Sequence, residues 1–187
     1  MNRRRLRGFT LLEILVVLAI AAVSTSMALP TLRSRLLQGQ VDRYTKFTEA
    51  GLIGLRTRLR EQRLSHCLCF VPNIWAAPSA MGLERQQSDG TRSQPLQACR
   101  NEDPSPTLRV MNLEGSDSSL QVDVRANTGK FCISPPGTSA AAAKLTLQIR
   151  SRQHASNQQL RVRCVEINGN GYLKRGNWSE TSNECTQ

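Results

Sequence analysis

Gly8-Phe9-Thr10-Leu11-Leu12-Glu13-Ile14-Leu15-Val16-Val17-Leu18-Ala19-Ile20 opens an apolar run that continues to Leu29. Only Thr10, Glu13, Ser24, Thr25 and Ser26 interrupt it. As a helix the run spans about 32 Å, one hydrocarbon thickness. Arg3, Arg4, Arg5 and Arg7 precede it. A cationic flank of this kind holds the N-terminus in the cytoplasm, so everything after the span is expected on the far side of the membrane. A cleaved secretory signal has a shorter apolar region, and a plain signal anchor fits the length. Neither accounts for Glu13, since a carboxylate inside such a span costs about 2.5–3.5 kcal/mol and calls for a partner.

Beyond Pro30 the pattern changes to one apolar stripe: Leu37, Val41, Tyr44, Leu52, Leu55 and Leu59, with Thr48 filling the gap. The 4-3-4 spacing predicts an amphipathic helix to about Arg63. Gly39, Gly51 and Gly54 weaken it and suggest close packing or partial unwinding. Arg56, Arg58, Arg60 and Arg63 are expected on the opposite face, either solvated or against a partner. From residue 65 the periodicity is that of strands, at 65–71, 107–113, 120–125, 130–134, 144–150 and 159–168, with a turn at Asn168-Gly-Asn-Gly171 and a short strand from Tyr172 to Lys174. Residues 73–106 read as a long loop, and 140–143 as helix or linker.

The register of Gly8, Phe9, Thr10 and Glu13 behind a short basic leader resembles the processing site of type IV prepilins and pseudopilins. The resemblance implies cleavage after Gly8 by prepilin peptidase, methylation of Phe9, and an assembly role for Glu13, at the fifth mature position. Pro30 stands where that family often has a helix-kinking proline. It also implies an α+β, pilin-like fold: a leader at 1–8, a transmembrane and filament-core helix at 9–30, its amphipathic continuation at 31–64, and a β-rich periplasmic domain at 65–187. Leu52 to Cys69, and Arg161-Val162-Arg163-Cys164, are similar to elements of the GspH/FimT-type minor pseudopilins. The 73–106 loop and Leu160, where that group has Gly, depart from the pattern. The physical sense of the motif is that the new α-amino group of Phe9 and the Glu13 carboxylate, the ionic groups of the segment, offset each other's burial and set register.

Six cysteines, Cys67, Cys69, Cys99, Cys132, Cys164 and Cys185, all follow the span. In an oxidising compartment they favour up to three disulfides, each worth roughly 2–4 kcal/mol. Cys67 and Cys69 share a strand face and are expected to bond elsewhere, and Cys185 to reach Cys164 across the 169–176 turn. Free buried thiols are one alternative. A metal site at His66, Cys67 and Cys69 is another, against the spacing of zinc pairs. Neither His66 nor His154 sits in a catalytic motif. Nucleophile elbows, phosphate-binding glycine loops and paired catalytic carboxylates do not occur, so no enzyme activity, cofactor, metal or small-molecule substrate is expected.

The chain of 187 residues carries 25 Lys and Arg against 14 Asp and Glu, a formal +11. With aromatic residues at only 4%, a stacking platform for single-stranded nucleic acid is poorly supplied. Loss of the four leader arginines would leave +7. Arg150, Arg152, Arg161, Arg163, Lys174 and Arg175 are expected to gather at one end of the sheet, as a solvated face or a phosphate-binding one. The resemblance implies a minor pilin or pseudopilin of a type IV pilus or type II secretion filament, a single-span inner-membrane protein. Its partners would be other pilins, the peptidase and the inner-membrane assembly platform. The alternative it implies is a pilus-displayed subunit binding DNA through Arg161 and Arg163 during uptake.

Overall fold

A computed structural model describes residues 11–78, 81, 83, 110, 121–135, 139, 144–154 and 160–187. The expected 107–113 strand (save Val110), the 140–143 segment, most of the 73–106 loop, Cys99, Gly8 and Phe9 lie outside them. The chain forms two compact units, one ending at Leu36 and one running from Leu37 to Gln187. A single helix, α1 (Leu11–Gln62), contributes to both.

In the first unit, α1 exposes every side chain from Leu11 to Ser26. It is long and apolar enough to cross a bilayer.

In the second unit, the predicted stripe is the buried face of α1. Leu37 is 8% exposed, and Val41, Tyr44, Thr48, Leu52, Leu55 and Leu59 are fully enclosed. Thr45 and Thr48 tolerate this because their hydroxyls donate to the carbonyls of Val41 (2.7 Å) and Tyr44 (3.0 Å) one turn back. Gly39 and Gly54 have open space where a Cβ would stand, so they serve neither close packing nor unwinding. Arg63 stops the helix in the left-handed region (φ 52°). Its N–H donates to Arg60 O and that of Leu64 to Leu59 O, the Schellman arrangement with arginine in the usual glycine place.

Seven strands follow: β1 (His66–Cys69), β2 (Val122–Ala126), β3 (Lys130–Ile133), β4 (Leu145–Ser151), β5 (Arg163–Ile167), β6 (Leu173–Ser179) and β7 (Glu184–Thr186). β1 pairs with β3, and the rest form an antiparallel sheet in the order β2-β4-β5-β6-β7. β5 begins four residues later than its apolar pattern predicted. β6 is longer than expected and β7 was not expected at all. Lys174, Arg175, Gly176 and Asn177 hide β6, because polar and small residues there replace the usual alternation.

The pleat assigns the faces. Val122, Val124, Ala126, Leu145, Leu147, Ile149, Val165 and Ile167 point at the stripe on α1 and complete one core. Residues 70–76 run along the open edge of β2. Asn73 N–H donates to Ala126 O (2.8 Å), while Ala76 and Val124 exchange both bonds (3.0 and 2.8 Å). The Asn168–Gly171 turn forms as expected, with Gly171 N–H donating to Asn168 O and Gly171 at φ 77°.

Two disulfides lie among the described residues. Cys67–Cys132 crosses directly between paired positions of β1 and β3. Cys164–Cys185 spans β6 to hold β7. Cys69 is disulfide-bonded as well. The reason β7 can lie over β6 is Gly176, since a Cβ built there would stand 2.0 Å from Thr186 O. That obstacle is backbone, which cannot swing aside. Gly176→Ala is therefore expected to destabilise the folded chain by about 1–3 kcal/mol. Thermal unfolding monitored by circular dichroism would read this, and an unchanged midpoint would contradict the close approach.

Candidate assembly segment and basic residues

The N-terminal segment presents an apolar surface with its polar groups internally satisfied. Ser24 Oγ donates to Ile20 O (2.8 Å), Thr25 Oγ1 to Ala21 O (2.6 Å) and Ser26 Oγ to Val23 O (2.8 Å). Each hydroxyl of the polar triplet is thus matched to a carbonyl of its own helix, as an apolar solvent demands. Glu13 sits near the start of the described part of α1. The helix remains continuous through Pro30. Because proline has no N–H, the carbonyl four residues back loses its donor there.

The six basic candidates are not one cluster. Arg163 and Arg175 project from the sheet face that meets α1, and each has an acidic partner on that helix. Arg163 Nε lies 2.6 Å from Asp42 Oδ1, and its Nη1 donates to Asn177 Oδ1. Arg175 pairs with Glu49. Arg150 and Lys174 alternate onto the opposite face. Arg150 stacks on the Trp75 ring, its guanidinium carbon 4.1 Å from the centroid. Lys174 stands across from Glu166, which already binds Lys144 at 2.8 Å. Arg152, at the end of β4, pairs with Asp123 (3.2 Å). Arg161 is exposed just before β5, and its backbone N–H donates to Gln38 Oε1 (2.8 Å). Its side chain has no ion-pair partner among the described residues.

The acidic half of this arrangement was missed in the sequence. Gln38, Asp42 and Glu49 follow one another at intervals of four and seven along the flank of the apolar stripe, a spacing that places them on one side of the helix. That regularity was the available signal. The helix-end arginines also divide, since Arg56 donates to Gly171 O at the turn and Arg58 to Gly54 O one turn back. His66 is a buried β1 residue. No group of three or more His, Cys, Asp or Glu among the described residues could hold a metal ion.

Burial pushes the Asp42 carboxyl up, but hydrogen bonds from Arg163 and Gln38, with the charges of Arg163 and Lys46, outweigh it and hold the group below the ordinary carboxylate value. A depressed folded value means the stabilisation is complete above about pH 4, the unfolded value, and fades as pH falls through the folded one. Asp42→Asn is expected to lower the melting temperature at neutral pH and to flatten the decline on acidification below about pH 4. Melts across that range would check it, and parallel curves for the two proteins would assign the acid sensitivity to other carboxylates.

Residues 3–29 match the family model described as the prokaryotic N-terminal methylation motif. No curated protein and no solved structure matches the chain. An exposed apolar helix with self-satisfied hydroxyls, an acidic residue in its first described turn and a sheet domain following it agree with that match. The chain carries at its N-terminus the methylation motif of the type IV pilin family, and behind it a pilin-like layout of long helix and antiparallel sheet.

Proposed function

We propose that this chain is a minor pilin or pseudopilin, a structural and assembly subunit of a type IV pilus or type II secretion filament. Prepilin peptidase would cleave it after Gly8 and leave a methylated Phe9. The observation that carries the reading is the methylation motif at 3–29, set on a helix whose apolar side chains are all exposed through the first described turns. Such a surface needs lipid first and neighbouring helices afterwards. Before assembly the helix would span the inner membrane, N-terminus inside, with the sheet domain in the periplasm, where its disulfides could form. The same motif supports reading the role as scaffolding.

The DNA-binding alternative would rest on Arg161 and Arg163. Pairing of Arg163 with Asp42 and of Arg175 with Glu49 takes both cations away from a phosphate-binding surface. Arg161 alone would give a weak, strongly salt-dependent contact.

Expression of the full chain beside a prepilin peptidase tests the leading reading. Mass spectrometry should find a chain beginning at methylated Phe9, and Gly8→Val should block the cut. Glu13→Ala should still insert in the membrane but fail to co-assemble with partner pilins. Retention of residues 1–8 in the wild type, or normal assembly of the Glu13 variant, would overturn it.

A further inference from the structure

We infer that the sheet face turned away from α1 carries a binding cleft for a single acidic saccharide ring, built on Trp75, Gln148, Arg150 and Trp178. These are the chain's only two tryptophans, 103 positions apart in sequence, and they converge on one cavity. Trp75 is held beside β2 by the Ala76–Val124 bridge. Gln148 and Arg150 stand on β4, Trp178 on β6, and the pleat turns these three to the face opposite the core. Arg125 and His154 complete the walls.

Two buried polar atoms in this cleft have no hydrogen-bond partner. They are Arg150 Nε and His154 Nδ1, both shielded from solvent. Gln148, only 7% exposed, adds an amide to the same lining. Buried donors and acceptors are almost always satisfied, so two orphans lining one cleft mark where an outside molecule belongs. Arg150 stands over the Trp75 ring, and a guanidinium in such a cation–π contact keeps its N–H donors for a carboxylate.

The rest of the lining selects the ligand. Glu180 and Asn183, from the β6–β7 turn, add an acceptor and a second amide. Amides, a carboxylate and an imidazole together suit hydroxyls, which both donate and accept. A polyphosphate strand would meet Glu180 with like charge. Two arginines against that one glutamate leave a cationic excess for one acidic group. The cavity, about 250 Å³, is smaller than the roughly 300 Å³ at which drug-sized sites begin, and so has room for one ring. The Trp178 indole in the lining offers the C–H side of a sugar an apolar surface.

The full chain in a zwitterionic detergent without a sugar headgroup can be titrated with D-galacturonate, because both tryptophans report from the cleft. A saturable fluorescence change is expected, with D-galactose about tenfold weaker, the difference a charge-assisted fork makes. Arg150→Gln should weaken galacturonate about tenfold, and Arg60→Gln, exposed on α1 across the sheet, should leave it unchanged. If Arg150→Gln fails to fold, Asn183→Ala on the surface turn carries the same test with a smaller loss. No saturable response to galacturonate, equal binding of galactose, or indifference to both cleft variants would overturn the proposal. Saturation by a short oligothymidylate in place of the sugar would overturn it too.

Discussion

The apolar stripe from Val41 to Leu59, pressed against the inner residues of β2, β4 and β5, is the contact on which the second unit depends. A sheet with one apolar face cannot leave that face in water, and here the covering element is a single helix. Everything else in the unit is placed relative to this contact. It sets the register that brings Asp42 to Arg163 and Glu49 to Arg175. It decides which face of the sheet is left over for Trp75, Arg150 and Trp178. α1 changes character along its length: the run before Pro30 is apolar nearly all round, and from Leu37 the apolar residues narrow to the stripe that meets the sheet.

Much of this was legible because it is periodic. The 3-4 spacing of Val41, Tyr44, Leu52, Leu55 and Leu59 located the buried face residue by residue, and the alternation in 144–150 located β4. The Asn-Gly-Asn-Gly turn and the tether from Cys164 to Cys185 were visible for equally local reasons. What the sequence concealed depended on tertiary partners. β6 and β7 lack alternation because their burial comes from a disulfide and a close backbone approach. Arg163 and Arg175 read as free cations, because their counterions lie more than a hundred residues away on α1. Arg56 read as solvated for the same reason. Gly39 and Gly54 suggested a packing constraint, but they border open space.

The charge of the chain is accordingly less informative than its placement. Arg152, Arg163, Arg175 and Lys144 each have an acidic partner, and these pairs tie strand to helix or strand to strand. Exposed pairs of this kind contribute little stability one at a time. Their effect is to specify alignment: a helix slid by one turn would set Asp42 and Glu49 against apolar neighbours and strand two arginines.

The five-stranded sheet ends differently on its two sides, with one edge covered and the other short. Along β2 the backbone groups of 73–76 occupy the free edge, and at the other end β7 is three residues long and pinned by Cys164–Cys185. Open strand edges recruit other strands without regard to partner. A chain with an exposed apolar helix must associate through that helix, and a second, indiscriminate mode of association would compete with it. Covering one edge and shortening the other limit that competition: crowding such chains together favours helix–helix encounters over sheet-to-sheet growth.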